Sequence, residues 1–139
     1  MKYTVENEFC APSIGTPLSA GLDLRSKVDI DVTPNRTTFI PTGLRVALEP
    51  NTVGLLFPRS GLSTKYGLRL ANGVGVIDAD YRGEVIVPIY HDTSGIYKVK
   101  AGERIAQLVV MPILSPTLFE RVSELDETER GTGGFGSTG

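Results

Sequence analysis

The sequence predicts an all-β domain of the jelly-roll or barrel type, with one very short helix and a flexible, glycine-rich C-terminal tail. Its 16 glycines and nine prolines make up about 18% of the 139 residues, against roughly 12% in average proteins. Both residue types disfavour helix interiors, and here they are spread along the chain. Short apolar runs lie between them, which is the pattern of many strands joined by turns.

Eight to ten strands are expected from these runs. VDIDV (28–32) alternates apolar and polar side chains, and VGLLFP (53–58) is a short buried strand. TFIPTGLRVALEP (38–50) predicts a strand, a turn near 41–43 and a second strand. GVGVID (73–78) and GEVIVPIYH (83–91) are β-branched runs, and Pro88 in the latter suggests an edge strand or a bulge. YKVKAGERIAQLVVMPI (97–113) predicts two more strands.

The only helical signal is STKYG (63–67), where Ser63 would cap a short helix and Gly67 would end it. From residue 120 the chain becomes charged, ERVSELDETER, and then glycine-rich. We therefore expect a β domain at 1–119, followed at 120–139 by a charged linker and a glycine-rich tail.

Composition restricts the function classes. A net charge of −2 at pH 7 argues against direct nucleic-acid binding, which needs clustered Lys and Arg. Cys10 and His91 are the only cysteine and histidine, so neither an internal disulfide nor a Cys/His zinc cluster can form. No run has the length of a signal peptide's apolar segment or of a membrane helix. We expect a cytoplasmic protein without membrane contact, an inert Cys10 and a surface-exposed His91.

Two glycine-containing stretches are suited to phosphate. In RGTGGFGSTG (130–139), backbone N–H groups can approach phosphate oxygens, and Arg130, Ser137 and Thr138 add donors. Phe135 offers a face on which a base could stack. By composition alone, a disordered and soluble end is the favoured interpretation of this tail. In PRSGLS (58–63), Arg59 and Ser60 precede the short helix, where backbone N–H groups favour anions. Taken alone, this stretch is at least as consistent with a capped turn that carries a surface arginine.

Three further stretches contain polar side chains beside apolar runs. In NGVGVIDADYRGEV (72–85), Asp78 closes an apolar run and could act as a general base, or could belong to a turn. Tyr81 could pack on a flat ligand or cover core. In SAGLDLRS (19–26), Asp23 alternates outward between leucines, and could be an ordinary surface residue or could belong to an ion site. In GERIAQLVV (102–110), Gln107 is an amide in a buried-looking strand and needs partners from protein or ligand.

Taken in order, AGLDLRS, PRSGLS, GVGVIDADYRGEV, GERIAQLVV and RGTGGFGSTG resemble the five motifs of the trimeric dUTP pyrophosphatases, the dUTPases. The resemblance spans residues 20–139. It implies a β jelly roll that forms a homotrimer, with three active sites each built from all three subunits. It also implies hydrolysis of dUTP to dUMP and pyrophosphate, which lowers dUTP and supplies dUMP for thymidylate synthesis.

The resemblance implies a role for each matching residue. Asp78 matches the general base that activates the attacking water, and Tyr81 matches the aromatic residue packed on deoxyribose. Asn72 matches the asparagine that binds uracil, and backbone groups of Gly75, Val76 and Ile77 match the lining of the same pocket. Arg59, Ser60 and Gly61 match the phosphate-binding turn. Asp23 and Gln107 face the phosphates and the waters around Mg²⁺, the implied cofactor. The closing tail is represented by Arg130, Phe135, Gly136, Ser137 and Thr138.

Two alternatives remain open from the sequence. The related dCTP deaminases share the fold and some motifs, and a bifunctional relative would also consume dCTP. The chain shows no extra catalytic glutamate in a matching context. A dUTPase-like regulatory binding protein would be expected to lose Asp78 or the tail, and this chain keeps both.

Overall fold

The computed structural model describes residues 1–136, and within them the chain forms ten strands, one short α-helix and two 3-10 turns. The strands are β1 (Lys2–Val5), β2 (Leu22–Arg25), β3 (Ile30–Val32), β4 (Thr37–Ala47), β5 (Thr52–Pro58), β6 (Leu68–Leu70), β7 (Gly75–Ile77), β8 (Glu84–His91), β9 (Tyr97–Val99) and β10 (Arg104–Pro112). The helix is α1 (Ser60–Tyr66), and the 3-10 turns are Glu8–Cys10 and Pro116–Leu118. The predicted all-β class, strand number and single short helix are confirmed.

Two four-stranded antiparallel sheets form the jelly roll, with strand orders β1-β4-β8-β6 and β2-β10-β5-β7, and β3 pairs with β9 separately. One core cluster joins the inner faces of both sheets: Leu44 and Val87 come from the first sheet, and Leu56 and Leu108 from the second. These four side chains are at most 4% exposed. Burial of such alternating apolar side chains on two facing sheets is the main stabilising contribution in this architecture.

Two details of the strand predictions are wrong. Residues 38–50 do not form two strands around a turn, because β4 continues through Gly43. The pairing of β4 with β8 shifts register between Pro41 and Arg45, and Gly43 adopts φ +68°, so a bulge replaces the turn. Pro88, predicted to mark an edge strand or a bulge, lies on an inner strand, and the register shift between β4 and β8 lies at Pro41–Arg45 rather than at Pro88. Pro88 faces Phe39 of β4, and the partner strand β6 pairs no further than Leu70 with Ile89.

Helix α1 begins three residues earlier than Ser63, and Arg59 occupies the preceding position without a side-chain cap. The Ser63 hydroxyl donates instead to the carbonyl of Leu68 at 2.9 Å, so its predicted capping role is wrong. Gly67 ends the helix as predicted, in the left-handed conformation with φ +65°. The helix start therefore coincides with the PRSGLS stretch, so Ser60 and Gly61 lie in its first turn.

The prediction for His91 is also wrong: this side chain is buried, with 3% of its surface exposed. It closes β8 opposite Leu68, and its carbonyl accepts the amide of Asn35 at 2.9 Å. Cys10 is buried as a free thiol. Burial raises the pKa of the Cys10 thiol, which keeps it neutral and agrees with the expected inertness.

Residues 120–136 contain no helix or strand. Their side chains are almost all exposed, and Phe135 is fully so. The hydrogen bonds around Arg130 are local, from its Nε to the carbonyl of Gly133 and from the amide of Gly131 to Thr128. In the described part of the chain, no helix is long and apolar enough to cross a membrane.

Candidate active site

The hairpin between β6 and β7 forms one wall of a cavity of about 370 Å³, which we call the hairpin pocket. The pocket is lined by the hairpin and the loop after it on one side, and by β4, β5 and β8 on the other. Its lining residues are Phe39, Leu56, Asn72, Gly75, Val76, Ile77, Asp78, Tyr81, Glu84, Val85, Ile86 and Pro88. All six residues predicted for uracil, sugar and base catalysis therefore lie around one cavity.

Close packing of β7 on β5 positions this hairpin. Gly75 pairs with Leu56, and a Cβ at Gly75 would lie 3.0 Å from the Leu56 side chain. Glycine is therefore required for the approach of the two strands. Asn72 and Gly73 form the tip, where Gly73 has φ +71°. The apolar run predicted as a strand thus lies directly in the pocket wall, with Gly75, Val76 and Ile77 in its lining.

Asp78 follows directly after β7 and is exposed at the pocket. The amide of Tyr81 donates to the carbonyl of Asp78 at 3.1 Å, so a turn places both side chains around the same cavity. The Tyr81 hydroxyl donates to the carbonyl of Glu84 at 2.9 Å. This bond holds the ring across Gly83, where a Cβ would lie only 2.8 Å from Tyr81 Cε2. The aromatic ring is therefore fixed from two sides.

A second cavity of about 360 Å³, which we call the helix pocket, lies at the start of α1. Its lining residues are Asp23, Arg59, Ser60, Gly61, Leu62, Lys65, Tyr66 and Gln107. The sheet register explains their convergence. Gln107 of β10 pairs with Asp23 of β2 on one side and with Phe57 of β5 on the other, and β5 leads through Pro58 into the helix.

Asp23 lies between two guanidinium groups. Its Oδ1 is 3.0 Å from Nε of Arg59, and its Oδ2 is 3.0 Å from Nη1 of Arg104. The Asp23 side chain is only 15% exposed, so these ion pairs are less screened than surface pairs. Gln107 donates from Nε2 to the carbonyl of Pro58 at 3.0 Å, which fixes its amide and leaves Oε1 as an acceptor. The pocket therefore combines oriented cations with a carboxylate and an amide.

The two pockets differ in what they can do chemically. The hairpin pocket is mainly apolar with one exposed carboxylate, which suits a flat ring and proton transfer from water. The helix pocket has Arg59 and Lys65 beside hydroxyl and amide groups, which suits phosphate oxygens. No lining residue is shared between the two pockets in the described chain.

The predicted tail residues lie in neither pocket. Arg130, Phe135 and Gly136 are absent from both linings, and Phe135 is fully exposed. Ser137 and Thr138 lie outside the described residues. The closing of the tail over the site thus stays a prediction.

Sequence reasoning missed several lining or contacting residues: Phe39, Glu84, Lys65, Tyr66 and Arg104. Lys65 and Tyr66 could have been found from helical spacing, because Lys65 lies one turn after Gly61 and Tyr66 lies one turn after Leu62. Phe39 could not, since it reaches the hairpin pocket only through the pairing of β4 with β8. Among residues 1–136, no group of three His, Cys, Asp or Glu side chains could hold a metal ion directly.

A family model described as dUTPase matches residues 7–139 of this chain. A deoxyuridine 5'-triphosphate nucleotidohydrolase of Pseudomonas fluorescens is 47% identical over 138 residues, which cover 97% of this chain and 91% of the relative.

Solved structures are similar as well. A variant of the Staphylococcus bacteriophage 80alpha dUTPase, solved with dUpNHpp, superposes with a TM-score of 0.90 at 29% identity and covers 99% of this chain and 97% of its own. A variant dUTPase from phage phi11 of S. aureus, whose structure describes coordination of a structural Mg(II) ion, has a TM-score of 0.81 at 26% identity. That match covers 88% of this chain and 96% of the phage chain.

Proposed function

This chain belongs to the dUTPase family, and from that premise we propose that it hydrolyses dUTP to dUMP and pyrophosphate. The family match over residues 7–139 supports the reaction. The observation that carries it is the hairpin pocket, where an exposed carboxylate, Asp78, lies beside backbone groups of β7 and the ring of Tyr81. A pocket for a planar base therefore lies beside a group that can accept a proton.

Uracil selection is assigned to the hairpin. Asn72 and the backbone of Gly75, Val76 and Ile77 would bind the edge of the base. A cytosine presents the reversed donor and acceptor pattern, which leaves buried polar groups unpaired and is costly. The thymine methyl group would strike the hairpin. Tyr81, held by its bond to Glu84, would pack on deoxyribose and leave no room for a ribose 2′-hydroxyl.

The helix pocket is assigned to the triphosphate. Arg59, Ser60 and Gly61 would bind phosphate oxygens, and charge-assisted bonds from a guanidinium are among the strongest available. Lys65 extends the positive wall of the pocket.

Mg²⁺ fits the helix pocket only as an ion held largely by phosphate and water. One carboxylate and one amide face it, and both oxygens of Asp23 already contact guanidinium groups. Magnesium sites with substrate phosphates commonly have this sparse protein contribution. Asp23 and Gln107 would bind waters of the ion, which when bound supplies Lewis-acid stabilisation of phosphate charge.

The chemical step requires one proton transfer by the chain. Asp78 would accept a proton from water as the water oxygen bonds to the α-phosphorus. The bond from that phosphorus to the bridging oxygen breaks in line, and pyrophosphate leaves with the bonding electrons. Arg59 and the tail residue Arg130 would stabilise the charge that spreads over the phosphate oxygens. Phe135 would cap the uracil, while Gly136, Ser137 and Thr138 close on the site.

A homotrimer with active sites shared between subunits is the proposed assembly. The separation of the hairpin pocket from the helix pocket supports sharing of sites, since a second copy could bring one pocket to the other. In this arrangement 1–119 forms the catalytic jelly roll, and 120–139 carries the tail to a site of the trimer. The single, buried free cysteine supports a cytoplasmic location.

One assay tests the proposal: pyrophosphate release from dUTP, UTP, dCTP and dTTP, with and without Mg²⁺, in a sample whose mass is measured by light scattering. We expect turnover of dUTP alone, dependence on Mg²⁺ and a trimeric mass. Consumption of dCTP would instead indicate a deaminase-like or bifunctional relative. A fully active monomer would overturn the shared sites.

A further inference from the structure

His91 is a buried polar residue that the proposed reaction does not use. Its Nε2 lies 2.9 Å from Oγ1 of Thr93, and the same Oγ1 lies 3.2 Å from the carbonyl oxygen of Tyr66. Its Nδ1 is buried and has no hydrogen-bond partner among the described residues. Tyr66 is the last residue of α1, so a chain of two hydrogen bonds connects His91 to the helix end.

The direction of these bonds follows from the donors available. A carbonyl oxygen only accepts, so the Thr93 hydroxyl proton is donated to Tyr66. The same hydroxyl must then accept from His91, which places the imidazole proton on Nε2 and leaves a bare lone pair on Nδ1. A buried acceptor without a partner opposes folding. Packing alone therefore does not make histidine more stabilising at position 91 than an apolar ring such as that of phenylalanine.

The helix end is held tightly by the same segment. The amide of Asp92 donates to the carbonyl of Gly67 at 2.9 Å, and a Cβ at Gly67 would lie 2.6 Å from Cγ2 of Thr93. Lys65 and Tyr66, the last two residues of α1, line the helix pocket. They also line a cavity of about 300 Å³ whose lining includes His91 and Thr93. The end of the helix therefore contacts both cavities.

We propose that His91 is a positioning residue that, through Thr93, sets the placement of α1 and hence of the phosphate-binding turn at its start. The helix has only seven residues, from Ser60 to Tyr66, so a displacement at its end is transmitted to Ser60 and Gly61 with little loss. This inference rests on the proposed function, in which the helix pocket binds the phosphate oxygens that pyrophosphate also carries. The hairpin pocket, which shares no lining residue with the helix pocket, is unaffected.

The test compares inhibition by inorganic pyrophosphate and by dUMP in the full-length protein. Thr93→Val keeps the side-chain shape and removes both hydrogen bonds, and His91→Phe keeps a ring without the donor. Each should weaken pyrophosphate binding about three- to tenfold, the effect of losing one hydrogen bond, with a much smaller change for dUMP. In the double variant the losses should not add, because both act through one chain of bonds.

Two controls separate positioning from general destabilisation. Thr52→Val removes a hydroxyl bond of 2.7 Å to Glu49 at the far end of β5, and should leave the ratio of the two inhibition constants unchanged. His91→Gln, which can still donate to Thr93, should restore part of the pyrophosphate affinity. If Thr93→Val leaves the ratio of the inhibition constants for pyrophosphate and dUMP unchanged, the proposal is overturned, even where the variant has a lowered Tm. Absence of dUTP turnover in the unaltered protein would instead contradict the proposed function itself.

Discussion

Asp23 Oδ1 lies 3.0 Å from Nε of Arg59, so a carboxylate on β2 fixes the guanidinium that precedes helix α1, at the proposed phosphate-binding turn. The other oxygen of Asp23 contacts Arg104 at the same distance. The two cations are therefore oriented before any phosphate arrives, and their charge is partly neutralised. Oriented cations cost less conformational entropy when the ligand binds.

We predict opposite effects of Asp23→Asn with and without Mg²⁺. Removing the negative charge should strengthen binding of metal-free pyrophosphate, because Arg59 and Arg104 lose a competing anion. It should also raise the Mg²⁺ concentration needed for half-maximal turnover, since the amide binds the ion's waters less strongly. Calorimetry with pyrophosphate and a Mg²⁺ titration of turnover measure the two effects. If metal-free pyrophosphate instead bound more weakly, the orientation of Arg59 by Asp23 would matter more than the removal of the negative charge of Asp23.

Asp78→Asn should keep dUTP binding and lose most turnover. The amide has nearly the same size and still hydrogen-bonds water, but it does not accept a proton at neutral pH. Losses of a general base run about 10²- to 10⁴-fold. Single-turnover rates and dUMP affinity should be measured together. If the variant hydrolyses dUTP at near the parent rate, Asp78 is not the base.

Gly83→Ala should reduce discrimination between dUTP and UTP. The new Cβ would lie 2.8 Å from Cε2 of Tyr81, so the ring must leave its present position. A displaced ring excludes a ribose hydroxyl less well, and we expect the ratio of kcat/KM values to fall roughly tenfold. Tyr81→Phe is the matched control, because it loses the bond to Glu84 but keeps the ring over Gly83. A smaller effect in the control is expected, and equal discrimination in all three proteins would contradict the role of the ring.

The fold was predictable because its signals are local. Alternating apolar residues, β-branched runs and punctuating Gly and Pro residues predict strands irrespective of their partners. The errors arose where pairing decides the outcome. Residues 41–43 look like a turn, yet the length of β8 lets β4 continue through a bulge at Gly43. His91 looks like the polar end of a strand, and its burial becomes visible only in the fold, where it pairs with Leu68 just after the helix.

The candidate site was predictable from motifs, but its division into two pockets was not. Asp78 and Tyr81 share a pocket because they lie close in sequence and are joined by a turn. Asp23 and Gln107 share the other pocket through strand register, which only the fold determines. Arg104 alternates away from the core on β10, and no local pattern indicates that it contacts Asp23.

Acid should weaken the contacts of Asp29, which lies beside the two-stranded sheet of β3 and β9. Asp29 accepts the amide of Ala101 at 2.8 Å and Lys100 Nζ at 2.9 Å, and these contacts lower the pKa of Asp29 below 3.8. A carboxyl group whose pKa is lowered by folding stabilises the protein fully at pH values above its pKa in the unfolded state. This stabilisation is lost as the pH falls through its pKa in the folded state. Asp29→Asn should therefore lower Tm at neutral pH. The difference in Tm between the variant and the parent protein should disappear as the pH falls below about 4. A difference that is independent of pH would contradict this ionic contribution.

Deleting residues 130–139 should separate turnover from folding. The described part of this segment makes only local hydrogen bonds, and Phe135 is fully exposed, so the truncated protein should keep the Tm and the oligomeric state of the full-length protein. Ordering the tail over bound dUTP costs roughly 1–2 kcal/mol per backbone residue, which contacts of Phe135 and Arg130 must offset. The net benefit should therefore appear mainly in the transition state, where phosphate charge moves and water is excluded. Since one charge-assisted hydrogen bond is worth about 1.5–3 kcal/mol, kcat should fall at least about tenfold while dUMP affinity changes little. Unchanged turnover after truncation would make the tail a passive end of the chain.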